Sequence, residues 1–111
     1  WYRDDRMIAA ADGDPLATLD FYEPHYYNNE GQNGAWSPFH RPVEYWNVDK
    51  PVVIGEFYIS GANAPTSVPN TNFAESDTCK VLEELGYAGG WPWQWNEHAQ
   101  EMAECIAKVE D

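Results

Sequence analysis

A carboxylate follows directly after the most apolar run of the chain. The stretch Lys50-Pro-Val-Val-Ile-Gly-Glu56-Phe predicts a strand buried on both faces, as in a parallel sheet. Strict alternation of side chains would place Val52, Ile54 and Glu56 on one face of that strand. Parallel folds place catalytic groups at the carboxyl ends of their strands, so Glu56 is a candidate for acid, base or nucleophile chemistry. A structural carboxylate, held by a neighbouring Arg or amide, is the alternative.

Two more stretches carry groups that suit the binding of a polar ligand with an apolar face. Residues 16–27 form a second strand candidate, with His25 and Tyr27 near its end. A lone His in such a place is more often a satisfied core or rim residue. Residues 87–95 form the third strand candidate, and its three tryptophans share one parity: Trp91, Trp93 and Trp95. Tryptophan rings close to carboxylates suit a sugar, because a pyranose packs its flat face on a ring while acids accept its hydroxyl protons.

Helical patterns separate the three strand candidates. They cover residues 1–11, a short segment that starts at Ser37-Pro38 and reaches Trp46, residues 74–85, and the chain after Asn96. Gly86 is expected to stop the third of these helices. The element order is therefore α, β, α, β, α, β, α, which predicts an α/β fold with a parallel sheet of three strands and about four helices. We expect one domain over residues 1–111. Trp36 and Trp46 are expected to pack in the core.

The charge balance excludes several classes of partner. The 111 residues carry 19 acidic side chains against 6 Lys and Arg, for a net charge of −13. A nucleic-acid-binding protein needs a basic footprint, and an anionic membrane surface attracts basic segments, so neither partner is expected. No run of 18 apolar residues is present, and no His/Cys cluster has metal-ligand spacing. We expect no metal and no cofactor.

The three strand motifs together resemble a known family. Asp20-Phe-Tyr-Glu-Pro-His25-Tyr-Tyr27, the stretch around Glu56, and Gly86-Tyr-Ala-Gly-Gly-Trp-Pro-Trp93-Gln-Trp are similar to the ends of strands six, seven and eight in retaining glycoside hydrolases of family 5, the cellulases and mannanases. The resemblance covers nearly the whole chain and implies a partial (β/α)8 TIM-barrel segment. It implies a β-linked oligo- or polysaccharide as partner.

The resemblance also implies roles for individual residues. Glu56 matches the catalytic nucleophile, His25 and Tyr27 match a pair that lines the cleft, and Trp93 matches the platform beneath the sugar that is cleaved. Trp91 and Trp95 are further candidates for substrate binding, with barrel filling or rim packing as the alternative. The family's acid/base Glu lies on strand four and the Arg that steadies its nucleophile comes from early in the barrel, so this chain matches neither.

Three hypotheses on function follow from that missing acid. The first is an enzyme that hydrolyses a β-1,4-linked glucan or mannan with retention, with Glu56 as the nucleophile. The second is a carbohydrate-binding or vestigial module, and the third is a fragment that works with its missing N-terminal part. Glu23, which shares parity with His25, and Glu97, which follows the third strand, are the two other carboxylates considered for the acid, and neither matches a family position.

Cysteines, termini and sheet edges give further expectations. Cys79 and Cys105 fall on the last two helical patterns and are either bridged or two free buried thiols. The chain starts at Trp1 without Met, so either a leader has been removed or the chain belongs to something longer, and we expect an extracellular protein. Three parallel strands leave two open edges and an interior face, with Phe21, Ile54 and Trp91 on it, so we expect a dimer or a missing barrel half as partner. The alternative is a monomer whose long predicted loop, Tyr58 to Asn72, folds back over the gap.

Overall fold

The apolar run before Glu56 forms the middle strand of a three-stranded parallel sheet. The computed structural model of the chain describes residues 1–27, 34–58 and 77–110. Its strands are β1 (His25–Tyr26), β2 (Val53–Tyr58) and β3 (Gly89–Trp93), in the spatial order β1-β2-β3. Both pairings are parallel, which confirms the predicted α/β fold with three parallel strands.

The helices connect and flank these strands. They are α1 (Asp4–Ala10) before β1, α2 (Thr78–Glu84) between β2 and β3, and α3 (Trp95–Glu110) after β3. The segment predicted as a short helix from Ser37 to Trp46 contains one 3-10 turn, Val43–Trp46, and another 3-10 turn, Gly34–Trp36, lies just before it. Pro38 and Pro42 lack a backbone N–H and disfavour an α conformation in the residue before them, which explains why no longer helix forms. The predicted loop from Tyr58 to Asn72 lies outside the described residues, apart from Tyr58 itself, which ends β2.

An irregularity in β2 decides which side chains face the core. Ile54 lies opposite Gly90 and Phe57 lies opposite Pro92, so three steps along β2 match two steps along β3. This extra residue is a β-bulge, which re-aims the side chains that follow it. Ile54 and Phe57 are therefore both fully buried, while Glu56 lies between them on the other face. The prediction that Glu56 shares a face with Val52 and Ile54 is wrong for this reason.

Among the described residues, one face of the sheet is packed against the helices and the other carries exposed side chains such as Trp91 and Trp93. Gly90 shows how closely α2 approaches, because a Cβ on Gly90 would lie 2.7 Å from Leu82 Cδ1 and 2.9 Å from Phe57 Cε1. Within the part of the chain that the structure describes, the core on this side has eight buried members: Tyr22, Tyr26, Phe39, Val52, Ile54, Phe57, Leu82 and Tyr87. Ile54 was predicted to face the interior of a barrel, and its burial against the helical layer corrects that prediction.

The end of α2 follows its sequence signals. Gly86 adopts a positive φ of 82°, which a glycine reaches without steric cost, and the N–H of Tyr87 donates to the carbonyl of Leu82 at 3.0 Å. This is the helix stop predicted at Gly86, and it returns the chain to the sheet as β3.

A disulfide joins the last two helices. Cys79 on α2 and Cys105 on α3 are bridged, with their Cα atoms 5.3 Å apart, which settles the choice between bridge and free thiols. Beside it Met102 is buried against the two cysteines, and Lys108 forms an ion pair with Asp77. Because this second apolar cluster is small among the described residues, we expect the disulfide to contribute substantially to holding α3 against α2.

The described ranges contain neither a membrane-spanning helix nor a metal-binding group of side chains. Within residues 1–27, 34–58 and 77–110, no helix has the length and apolar character needed to cross a bilayer. In the same ranges, no three His, Cys, Asp or Glu side chains are grouped in a way that would hold a metal ion.

Candidate active site

The Glu56 carboxylate lies against two side chains from the end of the neighbouring strand, His25 on β1 and Tyr27 just after it. His25 and Glu56 are partners in the parallel register of β1 and β2. The Tyr27 hydroxyl donates a hydrogen bond to Oε1 of Glu56, and Nδ1 of His25 lies 3.6 Å from Oε2. The structure therefore brings together three of the six residues that were predicted for this site, at the carboxyl ends of adjacent strands.

The backbone geometry explains why these groups meet. The N–H of Gly55 donates to the carbonyl of Pro24 at 2.9 Å, and this bond fixes β1 alongside β2 one residue before the site. The bulge then turns Glu56 away from the core and toward His25. Its side chain remains 25% exposed, so the carboxylate is oriented by its neighbours and still open to a ligand.

Glu23 lies on the same face, immediately beneath this site. A Cβ on Gly55 would lie 2.4 Å from Cγ of Glu23 and 2.5 Å from its Oε1, so the Glu23 side chain lies flat across the backbone of β2. Only a glycine leaves room for this contact. Glu23 is thus a close neighbour of Glu56 along the sheet, as its parity with His25 predicted.

A second contact fixes the chain three residues before β1, and the sequence analysis did not predict it. The Tyr22 hydroxyl donates to Oδ1 of Asp49 at 2.6 Å. Burial, followed by this bond to the carboxylate, raises the pKa of Tyr22 to about 12. The same bond lowers the pKa of Asp49. An Asp placed just before a buried strand was the available signal, because such a position brings its carboxylate close to the neighbouring strand.

The tryptophans of the third stretch divide into two groups. Trp91 and Trp93 lie on β3 and are both exposed, with Trp93 opposite Tyr58 in the register of β2 and β3. The peptide bond between Trp93 and Gln94 is cis. Trp95 does not belong to the strand, since β3 ends at Trp93 and Trp95 is the first residue of α3. The prediction of one strand over residues 87–95, with its three tryptophans on the same parity, is corrected on this point.

Other predicted residues have different surroundings. Glu97 lies in the first turn of α3, where its Oε1 accepts a hydrogen bond from Gln94 Nε2 at 3.0 Å. Trp46 packs against the core, as expected. Trp36 does not, because it is 69% exposed and stacks on the ring of Trp46 with an interplanar angle of 17°.

The chain is similar in sequence and in fold to parts of known proteins. No family model matches the chain. A mannan endo-1,4-β-mannosidase from Mytilus edulis is 30% identical over 97 residues, which are 83% of this chain and 24% of that protein. The chain thus spans about a quarter of the length of the curated relative that it matches.

Two solved structures share the fold. An endo-1,4-β-mannanase from Eisenia fetida is 32% identical with a TM-score of 0.70, and the match covers 94% of this chain and 28% of that one. A β-1,4-mannanase from the sea hare Aplysia kurodai gives a TM-score of 0.79 at 24% identity, over 99% of this chain and 29% of that one, and this likeness concerns the fold alone. The three parallel strands and three helices match a part of a TIM-barrel mannanase.

Proposed function

Because this chain is homologous to a part of the endo-1,4-β-mannanases, we propose that it forms the nucleophile-bearing part of a β-mannanase that cleaves β-1,4-linked mannan with retention. The observation that carries the proposal is that one Glu56 oxygen accepts a hydrogen bond from Tyr27 and the other lies close to His25. The names of the relatives favour mannan over glucan as the substrate. A cellulase activity is therefore the less supported of the two activities that the sequence suggested.

In this proposal Glu56 attacks the anomeric carbon and the leaving oxygen takes a proton from a second carboxyl group. Retaining glycosidases hold the two groups about 5–5.5 Å apart, and water later releases the sugar from the covalent intermediate. The Tyr27 hydroxyl orients Oε1 of Glu56, which leaves Oε2, on the side of His25, for the attack. His25 and Trp93 bind the sugar, with the exposed ring of Trp93 as its platform.

The carboxyl group that protonates the leaving oxygen is proposed to come from a part of the enzyme outside these 111 residues. Glu97 forms a local hydrogen bond at the start of α3, and Glu23 lies flat on the strand beneath Glu56 instead of across the cleft from it. Neither arrangement supports a proton donor placed opposite the nucleophile. The 111-residue chain by itself should therefore bind oligosaccharide without appreciable turnover, which keeps a binding role as the second candidate.

The test uses the complete enzyme that contains this chain, with β-1,4-mannan as substrate. Glu56→Gln should lower kcat by at least about a thousandfold and leave the thermal unfolding midpoint close to that of the parent, because a lost nucleophile affects the rate and not the packing. Glu83→Gln, at an exposed position of α2, is the matched control and should keep parental turnover. A Glu56→Gln enzyme with near-parental kcat would refute the proposal.

We also propose that the protein works outside the cell. The Cys79–Cys105 bridge supports this, since disulfides persist in oxidising compartments and are rare in the cytosol. The excess of acidic side chains is compatible with a neutral polysaccharide as the ligand.

A further inference from the structure

A pair of buried aromatic side chains lies directly behind the candidate active site. In the parallel register of β1 and β2, His25 is the partner of Glu56, and Tyr26 is the partner of Phe57. Because side chains alternate along a strand, the first pair carries the candidate site and the second pair points into the core. The Tyr26–Phe57 pair is therefore the reverse side of the same two strand ends.

Phe39 contacts both members of this pair. Its ring lies edge-on to the ring of Tyr26, with 5.8 Å between the centroids and an interplanar angle of 61°. It also lies edge-on to the ring of Phe57, at 5.3 Å and 68°. Phe39 is itself buried, and edge-to-face contacts between aromatic rings have preferred distances and angles. One side chain thus packs against both strand ends that carry the site.

Ser37 fixes the turn from which the Phe39 ring projects. Its hydroxyl accepts a hydrogen bond from the N–H of Phe39 at 3.2 Å and lies 2.8 Å from Nδ1 of His40. The N–H of His40 donates to the carbonyl of Ser37 at 3.3 Å. Ser37 is fully buried, and a buried polar group with partners holds its surroundings in one arrangement. The backbone of Phe39 is therefore fixed independently of the sheet.

Phe57 is closely packed on the side of β3 as well. A Cβ on Gly90 would lie 2.9 Å from Cε1 of Phe57 and 2.7 Å from Cδ1 of Leu82, so β3 and α2 both approach this ring. In contrast, β1 has only two residues and is an edge strand among the described residues. Since close-packed interiors transmit displacements, we expect a change at Phe39 to move β1 relative to β2.

We propose that Phe39 is a positioning residue, which fixes the end of β1 against the end of β2 and so sets where His25 and Tyr27 meet the nucleophile. It is buried behind the sheet and acts through the Tyr26–Phe57 pair. The proposal rests on the proposed function, since it takes the nucleophile from there. A misplacement of about 1 Å costs a reaction about a hundredfold in rate, so a smaller shift of β1 should lower kcat far more than it raises KM.

The test compares two buried substitutions in the complete enzyme, assayed on β-1,4-mannan well below the unfolding midpoints. Phe39→Leu removes the ring and should lower kcat about tenfold, with KM within about twofold of the parent. Val52→Ala is the matched control, because Val52 belongs to the same core but lies before β2, away from Glu56. It should lower the unfolding midpoint as well and keep parental kcat. If Phe39→Leu does not fold, Phe39→Met, which fills the space without a flat ring, takes its place with the same expected result.

A double-mutant cycle separates positioning from a general loss of packing. Tyr27→Phe already removes the hydrogen bond to Glu56, so Phe39→Leu should lower kcat by no more than about threefold in that background. Three results would each overturn the positioning role: an unchanged kcat in the folded Phe39 variant, the same tenfold loss with and without the Tyr27 hydroxyl, or an equal loss of kcat in Val52→Ala. With an inactive Glu56→Gln enzyme these results leave the proposed function intact, whereas an active Glu56→Gln enzyme refutes the proposed function itself.

Discussion

Oε2 of Glu56 lies 3.6 Å from Nδ1 of His25, its partner in the parallel register of β1 and β2. A regular strand would have pointed Glu56 into the core with Ile54. The extra residue in β2 prevents this, since it turns Glu56 onto the open face of the sheet just where the strand ends. The bulge is therefore the structural feature that places the Glu56 carboxylate beside His25 at the end of an otherwise apolar strand.

Tyr27→Phe tests the hydrogen bond that orients the nucleophile. We expect kcat of the complete enzyme to fall about 10- to 100-fold, because the carboxylate loses the donor on Oε1. The fold should be kept, since Tyr27 lies outside the buried core. Tyr45→Phe, a change at an exposed tyrosine, is the control for steady-state kinetics on mannan. Equal losses in both variants would show that the Tyr27 hydroxyl has no special part in the reaction.

Gly55→Ala tests the close approach of Glu23 to β2. The new methyl group would lie 2.4 Å from Cγ of Glu23, so we expect a loss of about 1–3 kcal/mol in the free energy of unfolding. Glu23→Ala in the same chain removes the clash and should restore most of that loss. Urea unfolding of the single and double variants measures both effects. Additive behaviour of the two changes would contradict the contact.

The sequence predicted the elements of the site better than its geometry. The apolar run, the turn at Gly86 and the helical spacing after Asn96 are local signals, and each element appeared where its signal lies. The face of Glu56 was predicted wrongly, because alternation assumes a regular strand and a bulge depends on the pairing with both neighbours.

Tertiary contacts account for the other differences. Trp95 is the first residue of the last helix, and Trp36 is exposed on the ring of Trp46, although both side chains are large and aromatic. A cavity of about 260 Å³ beside β1 was not predicted from the sequence. Its wall combines Trp1, Trp46 and Tyr87, which are far apart in the sequence, so no local pattern marks it.

Removal of the disulfide tests how α3 is held. Cys79→Ser with Cys105→Ser should lower the free energy of unfolding by about 3–4 kcal/mol, since the bridge closes a segment of 26 residues and the apolar cluster around it is small. Urea unfolding of the double variant measures the loss, and the parent chain in reducing agent should show the same decrease. A change below about 1 kcal/mol would mean that packing alone holds the helix.

The open face and edges of the sheet lead to a prediction about assembly. Phe21 and Trp91 are exposed on this face, and within the described residues β1 and β3 are edge strands. Such edges and apolar surfaces favour association, so we predict that the chain forms a dimer, most simply with twofold symmetry. Light scattering over a dilution series should show a mass that rises with concentration. A compact monomer of 12.7 kDa at every concentration would exclude the dimer.

The assignment of Glu56 as nucleophile is tested most directly by trapping the covalent intermediate. A 2-deoxy-2-fluoro mannosyl fluoride forms the intermediate in a retaining enzyme but slows its hydrolysis, so the sugar stays attached to the attacking carboxylate. The complete enzyme should gain the mass of one fluorosugar, and peptide mass spectrometry should find it on Glu56, with no label on the Glu56→Gln variant. A label on another carboxylate, such as Glu23, or an inverting enzyme that takes no label at all, would contradict the account.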